Sequence, residues 1–244
     1  MNKLTVVLDK LIYKRYGTTD SCTKEYYAWK QFNELVPENT ATLVLKKEDL
    51  CVYEYLEQEN RKVTKQNASL FAAQVITNIY NCYDPFVYKK GDLWKLAVKN
   101  LIEEFNKTKP QLDNRVNKEF TTMLQNNLKI IEDSEFTTIS FLHRDIHKGN
   151  IIYENGHPYL IDHEHAMEGP IELELQNSLF WNDRMSLNTK LVKKYLISSG
   201  IKYSEKNEQL LRNFYVADQL VLAIKDNKLT KVDKLVRKAI ATLR

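Results

Sequence analysis

The segment FLHRDIHKGNIIYENGHPYLIDHEH, residues 141–165, raises the first question about this chain. The protein has five histidines, and all of them lie in this segment. Acidic side chains and an asparagine stand among them. The segment is therefore either a metal-binding cluster or an active site of another kind that contains histidine. The choice depends on how the chain folds back on itself at this point.

The dipeptide Asn155-Gly156 predicts a tight hairpin within the segment. It separates two apolar runs, NIIYE and HPYLI, and Asn-Gly is the strongest short hairpin signal because both turn positions need a positive φ angle. Pairing of the two runs would return Asp162 to the neighbourhood of Asn150 and Asp145. Two carboxylates and a carboxamide that converge in this way suit a hard cation such as Mg²⁺.

A histidine cage for zinc or iron is one alternative, because imidazole is a frequent ligand of both metals. Strand alternation, however, would place His163 and His165 on one face and Asp162 on the other. Such a cage would also leave the D-x4-N spacing without a role. A purely structural role for the histidines is a second alternative, and His143 in particular is expected to pack beneath the loop.

Composition limits the class of protein. The chain has 244 residues, 43% of them hydrophobic, so it can bury a core. A net charge of +4 without a lysine- or arginine-rich block argues against nucleic-acid binding. Three widely spaced cysteines without a CxxC pair indicate reduced thiols in a cytoplasmic protein. We expect neither a signal peptide nor a membrane span, because no apolar run has the required length.

Periodicity predicts two lobes of different character. Residues 1–56 contain β-prone runs around one helix, whereas residues 57–244 are mostly helical apart from the segment quoted above. The expected strands of the first lobe are LTVVL, LIYKRY, TATLVLKK and LCVYEYL. The predicted fold class is therefore α+β, with a small, shortened β-rich N-terminal lobe and a larger helical C-terminal lobe.

HRDIHKGN followed by LIDHE resembles the catalytic loop and metal motif of the protein-kinase-like superfamily. The closest branch is the aminoglycoside phosphotransferase and choline kinase family, whose pattern is H-x-D-x-H-x-x-N, a short hairpin and then an aspartate. His147 stands where most protein kinases have lysine. The resemblance implies Asp145 as the catalytic base, with Asn150 and Asp162 holding Mg²⁺ on the phosphates of ATP or GTP. It implies a small-molecule kinase whose acceptor is aminoglycoside-like or choline-like.

The resemblance also implies a nucleotide site in residues 1–56. Lys14 of LIYKRY would hold the α- and β-phosphates, Glu25 of the following helix would pair with it, and Ile12 would contact the adenine. CVYEYLEQE resembles the hinge, whose backbone would contact the base. The hinge residues are Glu54, Tyr55 and Leu56.

Several features depart from the family or from protein kinases. Gly17 is the single glycine of the first lobe, so a glycine-rich phosphate loop is missing. Either MNKLTVVLDK forms a shortened flap, or the phosphates are covered by other means, or catalysis is weak. Arg144 follows His143 as in many protein kinases, where this arginine pairs with a phosphorylated activation loop. Glu174 follows Asp162 by only twelve positions, which leaves no room for such a loop. Glu174 also replaces the family's aspartate in a segment expected to support the catalytic loop.

The acceptor is expected between the catalytic loop and the C-terminal helices. Aromatic residues there would suit a quaternary ammonium through cation–π contact, and acidic residues would suit an aminocyclitol. The candidate contacts are Trp181, Asp183, Tyr215 and Asp218. The lysines of the last helix are expected to form a solvated face. Three other functions stay open: a protein kinase, a nucleotide-binding pseudokinase or interaction module, and a metal-dependent hydrolase. The oligomeric state is undetermined.

Overall fold

The computed structural model describes residues 3–58, 63–83, 92–181 and 183–242. Its first part contains one four-stranded antiparallel sheet and one long helix. The strands are β1 (Lys3–Leu8), β2 (Leu11–Tyr16), β3 (Leu43–Lys47) and β4 (Leu50–Glu54).

The strands β1 and β2 form a hairpin around Asp9-Lys10. Both turn residues have positive φ angles, 49° and 59°, as a two-residue turn between twisted strands requires. The order of the sheet is β1-β2-β4-β3, so β2 is an interior strand. Lys14 is paired with Thr5 on one side and with Cys51 on the other. This register fixes the backbone that carries the lysine.

Helix α1 (Thr19–Leu35) crosses from the sheet into the larger part of the molecule. The side chain of Thr18 caps it by accepting a hydrogen bond from the backbone N–H of Ser21 (3.2 Å). Apolar residues at helical spacing give it a buried face, and Glu25 lies on that face with 1% exposure. The far end of α1 packs through Phe32 into the main hydrophobic core.

The remainder of the chain is dominated by helices, most of which surround one hydrophobic core. They are α2 (Lys65–Cys82), α3 (Asp92–Asp113), α4 (Lys118–Glu132), α5 (Gln176–Trp181), α6 (Thr189–Ser198), α7 (Glu205–Lys225) and α8 (Leu229–Thr242). This α+β architecture, with a small β-rich part and a larger helical part, agrees with the prediction. Across the described ranges, no helix combines the length and apolar character needed to cross a membrane.

Two short antiparallel strand pairs interrupt the helices. Strands β6 (Ile151–Glu154) and β7 (His157–Leu160) pair around Asn155-Gly156, whose φ angles are 51° and 79°, which confirms the predicted turn. Strands β5 (Ile139–Leu142) and β8 (Met167–Pro170) also pair, which the sequence did not indicate. The β5–β8 pair holds both ends of the segment that contains the β6–β7 hairpin.

Candidate active site

Two loops meet at the base of the β6–β7 hairpin. The first, residues 143–150, follows β5 and ends in a 3₁₀ turn, and the second, residues 161–166, connects β7 to β8. The backbone N–H of Ile161 donates to the carbonyl of Asn150 across a distance of 3.0 Å. The hairpin therefore brings the two loops together, as predicted.

Two of the histidines form the internal support of these loops. His143 is fully buried, and its Nε2 lies 3.0 Å from the carbonyl oxygen of Ile161. The ring of Phe32 stacks on His163 with 4.6 Å between centroids and meets the edge of His143 at 5.5 Å. Burial lowers the pKa of His143 to about 3 and lowers the pKa of His163 well below its ordinary value. Both rings are therefore neutral packing elements, and the expectation for His143 agrees with its burial.

The histidines do not form a metal cage. His163 is buried whereas the side chain of His165 is 46% exposed, so the expected placement of both on one face was wrong. The reason is that β7 ends at Leu160 and Asp162 has a φ of 66°, so strand alternation does not extend to these two histidines. Among the described side chains, the single group of His, Cys, Asp or Glu residues with converging ligand atoms contains carboxylates alone.

Asp145 is held by polar groups on both of its carboxylate oxygens. Asn177 donates its amide N–H to Oδ1, and the Nδ2 of Asn150 lies 3.1 Å from Oδ2. The Nε2 of His147 is 3.6 Å from the same Oδ2, while its Nδ1 accepts the backbone N–H of Gly149 at 2.9 Å. A neutral His147 therefore carries its proton on Nε2, facing the carboxylate. Burial raises the pKa of Asp145.

The 143–150 loop is supported from below by Glu174. This buried carboxylate accepts the backbone N–H groups of His143 (2.7 Å) and Arg144 (2.8 Å). Burial raises the pKa of Glu174 to about 7. The contacts agree with the expectation that its segment supports the loop. The guanidinium of Arg144 pairs with Asp218 of α7 at 2.6 Å, so its partner is a residue of the helical core. Asp218, expected as an acceptor contact, is engaged in this pair.

Lys14 connects the sheet to the second loop. Its Nζ lies 2.9 Å from Oε1 of Glu25 and 3.1 Å from Oδ1 of Asp162. The structure therefore brings together the lysine, the helix glutamate and the loop aspartate that were singled out in the sequence. The other oxygen of Glu25, Oε2, is buried and has no hydrogen-bond partner among the described residues. Ligand atoms of Glu25, Asp162 and Glu164 lie within 4.8 Å of one another.

A narrow cleft of about 40 Å³ runs between the sheet and the second loop. The predicted residues that line this cleft are Ile12, Lys14, Glu25, Glu54, Leu56 and Asp162. It is also lined by residues that were not predicted, among them Trp29, Ala41 and Ile152.

The predicted hinge contributes fewer free backbone groups than expected. The backbone N–H of Glu54 donates to Thr42 (3.0 Å) and that of Tyr55 donates to Lys10 (2.9 Å). The side chain of Tyr55 is exposed and does not line the cleft. Of the three hinge N–H groups, that of Leu56 is the one without a backbone acceptor among the described residues.

A larger cavity of about 690 Å³ lies on the other side of Asp145. Trp181 and Asp183 line it, as expected, together with Asn177. Tyr215 does not line it, contrary to expectation. Its hydroxyl accepts the indole N–H of Trp181 (3.0 Å) and donates to Oδ1 of Asn177 (3.3 Å). Tyr215 therefore positions two lining residues from behind.

The lining residues of this cavity that were missed in the sequence include Asn177, Lys231 and Lys234. Asn177 follows Glu174 by one helical turn, but nothing in its local sequence distinguishes it from a surface asparagine. Lys231 and Lys234 belong to α8, whose lysines were expected to be a solvated face. The amphipathic pattern separates polar from apolar faces and does not show that part of the polar face borders a cavity.

Known proteins resemble this chain in structure, whereas comparisons of its sequence found no match. No family model and no curated protein matches the chain. The gentamicin complex of APH(2'')-IIa superposes with a TM-score of 0.72 at 13% identity, covering 99% of this chain and 88% of that one. A thermostable mutant of APH(4)-Ia with ADP and hygromycin B gives 0.67 at 14% identity, with coverages of 100% and 93%. Spectinomycin phosphotransferase APH(9)-Ia with ADP and spectinomycin gives 0.63 at 14% identity, with coverages of 99% and 90%. The chain thus has the fold of the aminoglycoside phosphotransferases, which confirms the predicted two-lobe, protein-kinase-like architecture.

Proposed function

We propose that the protein is a phosphotransferase that moves the γ-phosphate of ATP, or of GTP, to a hydroxyl group of a small molecule. The observation that carries this proposal is the position of Asp145 between two sites. Asp145 lines the large cavity and is bonded to Asn150, whose carbonyl accepts the N–H of Ile161 in the segment that precedes Asp162. Asp162 in turn contacts Lys14 in the narrow cleft.

The narrow cleft is the proposed nucleotide site. Lys14, held by Glu25, would bind the α- and β-phosphates. Ile12 would pack on the base, and the backbone around Leu56 would bond to it. The present opening of about 40 Å³ is far below the roughly 300–1,000 Å³ of typical ligand sites. Nucleotide binding would therefore need a wider cleft than this conformation has.

The oxygen donors at the mouth of this cleft fit a Mg²⁺ ion. Asn150 uses its amide nitrogen for Asp145, so its amide oxygen is the atom that a cation would use. The carboxylate of Asp162 would provide the second ligand, and Glu164 lies within reach. Oxygen ligands of this kind are those that Mg²⁺ prefers. When bound, Mg²⁺ neutralises charge on the phosphates of the donor nucleotide.

Asp145 would orient the acceptor and take its proton. The acceptor hydroxyl gives its proton to the carboxylate, and the hydroxyl oxygen forms a bond to the γ-phosphorus. The bond from that phosphorus to the β–γ bridging oxygen breaks, which leaves a nucleoside diphosphate. Hydrogen bonds from Asn150 and Asn177 hold the carboxylate, and His147 stabilises its charge.

The organisation proposed from the sequence is retained. Residues 1–56 would form the nucleotide-binding lobe, and residues 57–244 would contain the catalytic loop and the acceptor site. We place the protein in the cytoplasm, where nucleoside triphosphates are available and the free thiols of Cys22, Cys51 and Cys82 would stay reduced.

Two rival functions can be weighed on specific observations, a regulated protein kinase and a nucleotide-binding pseudokinase. A protein kinase regulated by phosphorylation is disfavoured, because only residues 163–166 separate Asp162 from β8 and Arg144 already pairs with Asp218. A nucleotide-binding pseudokinase is motivated by the missing glycine-rich phosphate loop, since Gly17 is the single glycine of residues 1–56. Nucleotide binding without turnover would support the pseudokinase.

The test is a thermal-shift titration with ATP and GTP, with and without Mg²⁺, on the wild type and on Asp162→Ala. A ligand that binds only the folded state raises its stability by RT ln(1 + [L]/Kd). We expect a Mg²⁺-dependent shift in the wild type that Asp162→Ala abolishes. Asp226→Ala, which removes an exposed carboxylate from the turn after α7, should keep the full shift. No shift with either nucleotide would refute the proposal.

A further inference from the structure

The charge of the large cavity differs from what a polycationic acceptor requires. Helix α8 forms one wall, from which Lys231 and Lys234 line the cavity. Lys234 also lines an adjoining cavity of about 470 Å³, together with Arg237, Lys238 and one carboxylate, Asp233. Lys231, Arg237 and Lys238 each lie three or four positions from Lys234, so the four cationic residues share one side of α8. We call Lys231, Lys234, Arg237 and Lys238 the basic face.

Among the described side chains, no carboxylate lies in direct contact with the two lysines of the large cavity, and the charges of Asp226 and Asp218 act on Lys231 from farther away. The Nζ of Lys231 donates to the amide oxygen of Gln219 at 3.2 Å. None of the ion pairs among the described side chains includes Lys231 or Lys234. Burial and the neighbouring charge of Lys228 lower the pKa of Lys231. A bound anion would offset the cost of keeping this lysine charged.

The acidic residues of the cavity already have partners. Asp145 accepts hydrogen bonds from Asn150 and Asn177. Asp183 turns its Oδ1 toward the following loop, where it accepts the backbone N–H groups of Met185 (2.9 Å) and Ser186 (3.2 Å). The described lining of the cavity thus contains two carboxylates, those of Asp145 and Asp183, and no larger cluster of the kind that a molecule with several ammonium groups would need.

The aromatic ring that lines the cavity, that of Trp181, already has two lysine side chains over it. The Nζ atoms of Lys234 and Lys238 lie 4.9 Å and 5.0 Å from the centroid of the Trp181 ring. Lys238 in addition donates to the carbonyl of Trp181 at 2.7 Å. A quaternary ammonium that approached this ring would meet like charges, which is unfavourable.

From these contacts we propose that the acceptor carries an anionic group, a phosphate or a carboxylate, which binds Lys231 and Lys234 while its hydroxyl reaches Asp145. This inference rests on the proposed phosphotransferase function and names the class of its acceptor. The cavity of about 690 Å³ is large enough for a monosaccharide-sized molecule to bridge the basic face and Asp145.

The experiment compares probes that differ in charge and, apart from choline, contain a sugar. The probes are glucose 6-phosphate and glucuronate as anions, glucose as the neutral form, and glucosamine, kanamycin and choline as cations. Binding to the full chain is measured by calorimetry with and without Mg·ADP, and phosphoryl transfer from ATP is measured in parallel. The variants are Lys231→Gln/Lys234→Gln, which removes the two charges and keeps polar side chains, and the charge reversal Lys231→Glu/Lys234→Glu.

We expect the anionic probes to bind the wild type at least tenfold more tightly than glucose, and both variants to lose this preference. The matched control is Lys95→Gln/Lys99→Gln, an exposed pair with helical spacing on α3, which should leave it unchanged. Thermal unfolding of each variant verifies its fold. Absence of anion binding, survival of that binding in both variants, or phosphorylation of a cationic probe would overturn the inference. Failure of the proposed function is seen separately, as loss of the Mg²⁺-dependent nucleotide shift.

Discussion

The guanidinium of Arg144 and the carboxylate of Asp218 form an ion pair of 2.6 Å that ties the 143–150 loop to helix α7. The two side chains are 13% and 22% exposed, so the pair is shielded from most of the solvent. Arg144 also has a φ of 65°, which is unusual for a residue other than glycine. The pair and the Glu174 contact together keep this residue in place without any modification of the chain.

The substitution Asp218→Asn is therefore expected to destabilise the protein. Loss of a charged hydrogen bond in a shielded position should lower the free energy of unfolding by about 1–3 kcal/mol, measured by urea denaturation. Asp49→Asn is the matched control, because it removes the same kind of pair, Arg15–Asp49, from an exposed turn. It should change the stability little. Equal effects of the two substitutions would contradict a structural role for the Arg144 pair.

Phosphorylation of the chain should not be needed for activity. Protein kinases of the regulated type use the arginine in this position to bind a phosphorylated loop, but Asp218 occupies Arg144 here. Protein expressed and treated with a phosphatase should keep its full phosphotransfer rate. A large loss of rate after this treatment would mean that a modified residue replaces Asp218 in the active state.

Local turn chemistry explains why part of the site was predictable. Asn155-Gly156 specifies a hairpin within a few residues, and the positions of Asn150 and Asp162 at its two ends follow directly. The placement of Lys14 beside Glu25 followed from the order of elements implied by the family resemblance. These inferences needed no knowledge of contacts between distant helices.

Distant contacts explain what was missed. Asn177 reaches Asp145 across 32 positions of the chain, and Lys234 reaches Trp181 from the last helix. Each of these residues has an ordinary local sequence, so its role depends on how helices pack. The left-handed backbone at Asp162 was also missed, because an aspartate adopts that conformation only when its surroundings require it.

The three thiols are expected to fall into two classes of reactivity. Cys22 and Cys51 are fully buried with 3.2 Å between their Sγ atoms, and burial raises the pKa of Cys51 to about 12. Cys82 is exposed. Titration of the native protein with a disulfide reagent should show one fast thiol, and the other two should react only in denaturant. Cys82→Ser should remove the fast phase, and three fast thiols in the wild type would mean that the small core of the sheet is open.

The buried carboxyl of Glu174 should make stability depend on pH. Burial raises its pKa from the ordinary value of 4.5 to about 7. The folded state therefore keeps a proton that the unfolded state releases, so the contribution to stability is complete below about pH 4.5 and is lost as the pH rises to about 7. The expected loss over this range is ~3 kcal/mol.

Glu174→Gln should abolish this dependence. The difference in unfolding free energy between wild type and variant, measured by denaturation at several pH values, should decrease steadily from acidic to neutral pH. Glu119→Gln, at an exposed position in the first turn of α4, should show no such trend. A constant difference between wild type and Glu174→Gln would mean that the carboxyl titrates normally in the folded protein.

Asn177 should control the proton affinity of Asp145. Burial already raises the pKa of Asp145, and the base must be ionised to accept a proton, so the rate should increase with pH through that pKa. Asn177→Asp would replace a hydrogen-bond donor with a second carboxylate against Oδ1, which raises the pKa further. The acidic limb of the pH–rate profile for phosphoryl transfer should then move to higher pH by roughly one unit or more. Asn106→Asp, on the exposed surface of α3, should leave the profile unchanged. If the acidic limb does not move in Asn177→Asp, residue 177 does not influence the pKa of the group that accepts the proton.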